Sequence, residues 1–143
     1  MQKLSADLQA PLSSVTWSPP LPGPREGQRL TISNLIGSAD AAVIAQQALH
    51  HRKAFSVMVI ICANALDASR LQEEIPAFAP NLSVRLLPDW EILPYDAFSP
   101  HQDLVSERLA TLHELLIGAC DIVLIPVTTA LQKLGPPSFL AAH

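Results

Sequence analysis

Two stretches of this chain carry residue types that can do chemistry. The first is the turn Leu35-Ile36-Gly37-Ser38-Ala39-Asp40-Ala41-Ala42. A turn of this kind, between the first strand and first helix of a doubly wound sheet, lies where ligands bind beyond the strand ends. Glycines there let backbone N–H groups wrap a phosphate. A lysine reaches the outer phosphate oxygens, and a Ser or Thr hydroxyl holds Mg²⁺. Gly37-Ser38 matches the start of Gly-Ser-Gly-Lys-Thr, but Ala39 stands for the glycine, Asp40 for the lysine and Ala41 for the threonine. Asp40 decides the matter. Two like unit charges ~4 Å apart cost about 4 kcal/mol at an effective dielectric of roughly 20, and the lysine and the metal ligand are gone as well. The turn is a degenerate phosphate loop or an ordinary Gly-Ser helix entry. In both cases Asp40 is a favourable anion for the first turn of a helix, and no cofactor is expected here.

The second stretch is acidic and aromatic. It holds Asp89, Trp90 and Glu91, then Pro94, Tyr95 and Asp96, then Phe98, Ser99, Pro100, His101, Gln102 and Asp103. Paired carboxylates can do acid–base work, and His with Asp can activate a nucleophile. No nucleophile motif and no metal-ligand spacing accompanies them. His101 falls in a helix's first turn, where a charged imidazolium is disfavoured. With three aromatics set among prolines, the loop reads as a packing or partner surface, with no catalytic residue and no metal. His50-His51 reads as a solvated pair suited to a helix end. Cys62 and Cys120 match no metal or redox signature, which leaves them as buried, reduced thiols.

Residues of this kind need elements to position them. Arg29–Ile36 has strand composition, with Leu30, Ile32, Leu35 and Ile36 apolar. Ser38 can cap a helix reaching about Arg52, with Ala41, Ala42, Ile44, Ala45, Ala48 and Leu49 available for burial. Phe55–Cys62 is a nearly continuous apolar run, the pattern of a strand covered on both faces. Asn64 can cap a second helix, which buries Ala68, Leu71, Ile75 and Phe78 and ends near Ile75, before Pro76. Asn81–Leu87 makes a third, shorter strand. Ser99-Pro100-His101-Gln102 has the cap, the first-position proline and the capping-box glutamine of a third helix. Val105, Leu109, Leu112 and Leu116 form its apolar stripe, and Gly118 stops it. Asp121–Val127 is a fourth strand with Pro126 at its end. A short helix from Thr128 or Thr129 to Leu134 follows. This alternation predicts an α/β domain with a parallel sheet and flanking helices.

Composition sets outer bounds. The chain has 143 residues, 49% hydrophobic and 15% charged, with net charge −4. That is enough apolar material for one domain and excludes wholesale disorder. No basic surplus exists to neutralise phosphates, which counts against a nucleic-acid clamp. Apolar runs fall short of the ~18 residues a membrane helix needs. Five of 13 prolines lie between Pro11 and Pro24. The segment 1–27 reads as a flexible lead-in, with docking of its polyproline run in a partner groove as the other possibility. No apolar signal-peptide core follows Met1, so a cytoplasmic location is expected.

The stretch Leu87-Pro88-Asp89-Trp90-Glu91-Ile92-Leu93-Pro94-Tyr95-Asp96-Ala97-Phe98-Ser99-Pro100-His101-Gln102-Asp103 resembles the N-terminal region of the bacterial transcription-repair coupling factors. Ser106-Glu107-Arg108-Leu109, Ile125-Pro126-Val127 and Pro137-Ser138-Phe139-Leu140 fit the same pattern. The resemblance covers about residues 28–143. It implies a UvrB-like first subdomain with a helicase-type (RecA-like) P-loop fold whose P-loop is degenerate, and too short a loop after Leu87 for the DNA-clamping hairpin of UvrB. It also implies a non-catalytic scaffold that helps the neighbouring subdomain recruit UvrA and holds the full protein at rest. ATP, Mg²⁺, DNA and RNA polymerase then belong to domains downstream, and the chain reads as a fragment of a much longer protein. The rival readings are an α/β nucleotide-binding enzyme domain with an atypical phosphate loop, and a flavodoxin-like regulatory domain. The second lacks an acidic triad at its strand ends.

Overall fold

The computed structural model describes residues 27–54, 56–90 and 102–140. Helix α1 spans Ala39–His51, strand β1 Met58–Cys62, helix α2 Ala65–Phe78 and strand β2 Val84–Leu86. Helix α3 spans Gln102–Leu116, strand β3 Ile122–Pro126, and two single turns, α4 and α5, span Val127–Ala130 and Pro137–Leu140. The three strands are parallel in the order β1-β3-β2, with Met58 and Val84 both level with Ile122. This is the expected α/β architecture, with the last strand in the middle.

One sheet face carries the core. Ile122 and Leu124 are fully buried, and Cys62 and Val84 flank them on the neighbouring strands. Ala68, Leu71 and Ile75 of α2 lie on this layer, and Ala41, Ala45 and Ala48 of α1 pack in beside them. Alanine at these four α1 and α2 positions lets the two helices approach closely, so the helix layer is thin and tight. Asp121 fixes the amino end of the sheet. Its carboxylate accepts from the Ser83 backbone N–H at 2.9 Å and pairs with the Arg52 guanidinium at 2.8 Å.

Several expectations require correction. Residues 29–36 form no strand. They run without regular structure, Asn34 sits in the left-handed region at φ 61°, and Leu30 and Ile36 are 54% and 85% exposed. Strand composition needs a neighbouring strand to act on, and among the described residues none lies alongside. Strands β2 and β3 are shorter than the runs Asn81–Leu87 and Asp121–Val127. Pro76 does not end α2, which continues to Phe78, with the Ala79 N–H donating to Ile75 O. Proline's fixed φ suits a helix. Its cost here is one missing N–H and the crowding of its ring against the Gln72 carbonyl one turn back, borne close to the helix end. On α3 the expected stripe is rotated: Leu109 and Leu116 are 47% and 44% exposed, while Arg108 and Thr111 are buried. The helix after β3 is a single turn and does not reach Leu134.

Candidate functional site

The entry to α1 is built without a side-chain cap from Ser38. Ser38 holds the capping position and its carbonyl starts the helix, but its hydroxyl makes no capping bond. Asp40 takes that work. Its carboxylate accepts from the Ala41 N–H at 2.7 Å, so an anion already sits against the orphan donors and the positive end of the helix dipole. Gly37 makes the preceding turn at φ 60°, a left-handed conformation that glycine adopts freely.

Arg70 of α2 reaches across to this carboxylate. Its two terminal nitrogens donate to the two Asp40 oxygens at 2.6 and 3.1 Å, the forked geometry that suits guanidinium and carboxylate. Glu74 accepts from Arg70 at 2.8 Å and Asp67 at 3.3 Å, one turn either side along α2. The Arg70 bond holds the Asp40 carboxyl below the usual carboxylate range. Asp40 and its three acidic and basic neighbours therefore satisfy one another. A phosphate placed at this turn would meet a carboxylate, and the one guanidinium beside it is shared among three acids. Asn64 caps α2 as expected, accepting from the Asp67 N–H at 2.8 Å.

The second cluster lies at the carboxyl ends of β2 and β3. Asp89, just past β2, accepts from Thr128 Oγ1 at 2.7 Å, from Gln132 Nε2 at 2.6 Å and from the Trp90 N–H at 2.8 Å. Those bonds, led by the one from Thr128, hold its carboxyl below the ordinary range. Arg108 of α3 lies over the Trp90 ring at 4.3 Å from the centroid and donates to the Pro88 carbonyl. Burial pulls its pKa down, yet a guanidinium stays charged in such a place. Thr111, one turn on, donates to Leu86 O at 3.2 Å. Arg108 Nε, Thr129 Oγ1 and Gln132 Oε1 are buried without a hydrogen-bond partner. Cys62 and Cys120 are free and buried, with burial raising both thiol pKa values. Among the described residues no three His, Cys, Asp or Glu side chains gather as a metal site requires. No described helix is long and apolar enough to cross a membrane.

No family model matches the chain. It is 39% identical, over 119 residues or 83% of its length, to the transcription-repair-coupling factor of Escherichia coli (strain K12). The chain belongs to the transcription-repair-coupling factor family. The transcription-repair-coupling factor of Haemophilus influenzae is 36% identical over 76% of the chain, and that of Rickettsia bellii 29% over 59%. These matches take up 10%, 9% and 8% of the three proteins, so the chain spans about a tenth of their length.

In this member of the transcription-repair-coupling factor family, the residues singled out from sequence divide into three groups. Gly37, Ser38, Ala39, Asp40 and Ala41 come together at the α1 entry. Asp89 and Trp90 come together beside α3 and α4, and Gln102 opens α3 with its side chain exposed. Glu91, Pro94, Tyr95, Asp96, Phe98, Ser99, Pro100 and His101 lie outside the described residues. Sequence reasoning missed Arg70, Thr128, Gln132 and Arg108. Only Arg108 left a signal: it lies three residues after Val105 and four before Leu112, on the same helix face. A cation on an apolar stripe calls for a partner, and Trp90 supplies it.

Proposed function

We propose that these residues form the non-catalytic N-terminal module of a transcription-repair coupling factor. On this reading residues 28–143 are the first, UvrB-like subdomain, a RecA-type P-loop fold with a degenerate P-loop, and residues 1–27 are a Pro-rich lead-in. The module is a cytoplasmic scaffold. It supports the adjacent subdomain in recruiting UvrA to stalled RNA polymerase and helps hold the whole protein at rest. ATP and Mg²⁺ serve a motor downstream, and the contacts to DNA and RNA polymerase lie there too.

The observation that carries the non-motor reading is the Asp40–Arg70 pair at the α1 entry of a chain in this family. A motor needs a lysine to draw in the nucleotide's phosphates. Here the same turn presents a carboxylate with its counterion in place, which also disfavours the alternative of a nucleotide-binding enzyme domain. UvrA capture on an affinity resin tests the scaffold role. Immobilised 143-residue chain should retain little or no UvrA. A version extended by about 100 residues, one domain length, should retain it strongly. Tight capture by the short form would place the contact surface here and overturn the division of labour.

A further inference from the structure

We draw no further inference here: the strongest candidate, the buried and unpartnered atoms Arg108 Nε, Thr129 Oγ1 and Gln132 Oε1 in the side-chain cluster at the carboxyl ends of β2 and β3, belongs to the Asp89 site already described, and nothing in the structure shows a ligand or partner that would meet those atoms.

Discussion

Asp40 shows how a carboxylate of the chain itself can hold the place at a helix's first turn that a bound anion could otherwise take. The first turn of a helix attracts an anion whatever its source. In a working phosphate loop the anion arrives with the nucleotide. Here it is part of the chain, and Arg70 balances it. The pH dependence follows from the direction of the shift. The folded-state pKa of Asp40 is depressed by Arg70, so its contribution is fully present above the unfolded value, about 3.9. It is lost as pH falls through the lower folded value. With both side chains about one-third exposed, Asp40→Asn should cost up to about 1 kcal/mol at pH 7. Urea denaturation of both proteins across a pH series measures this. The difference in stability should shrink toward zero as pH drops below about 4. A difference that stays constant down to acid pH would mean that the Asp40 charge is not what Arg70 recognises.

The short elements depend on such side chains more than the long ones do. A single turn like α4 cannot hold itself together; Thr128 within it and Gln132 just past it are tied to Asp89, across from β2. Asp89→Ala should therefore cost about 1–3 kcal/mol, because it leaves polar partners unsatisfied. That corresponds to roughly 2–4 °C in Tm per kcal/mol for a chain near 150 residues. It should also loosen Trp90 from Arg108. In a Trp17→Phe background the lone indole should then emit further to the red and be quenched more readily; an unchanged spectrum would show that Asp89 does not position Trp90. The elements most legible in the sequence were those with strong local signals. Asn64 and the Ala68, Leu71, Ile75 spacing specify α2, and the Ile122–Pro126 run with its terminal proline specifies β3. Residues 29–36 have strand composition yet form no strand, because a strand is completed by its neighbour and composition does not say whether one is present. The α3 face is not legible from its four apolar residues at helical spacing, because the burial of Arg108 depends on the Trp90 ring and the Pro88 carbonyl, which only the fold brings alongside. Arg70 and Asp40 are 30 residues apart, and only the packing of α1 on α2 brings them together.

At the scale of the whole molecule, the same facts bear on whether the chain binds nucleotide. Its net charge of −4 and the acids around Arg70 oppose a polyanion at long range as well as at contact. Binding confined to the folded state stabilises it by about 2.7 kcal/mol when ligand is present at 100 times its Kd. For a chain of this size that amounts to a rise of several degrees in Tm. Millimolar ATP with Mg²⁺ should leave the melting curve of the 143-residue chain where it is, and ADP should do the same. The informative control is the double change Asp40→Lys with Ala41→Thr. It supplies the lysine and the hydroxyl that a phosphate loop needs while releasing Arg70 from its forked partner. If the α1 entry keeps the geometry of a phosphate loop, that variant should gain a nucleotide-dependent rise in Tm that the natural chain lacks. A rise in the natural chain itself would show that phosphate can displace Asp40 from Arg70, and the non-motor reading of this module would fall with it.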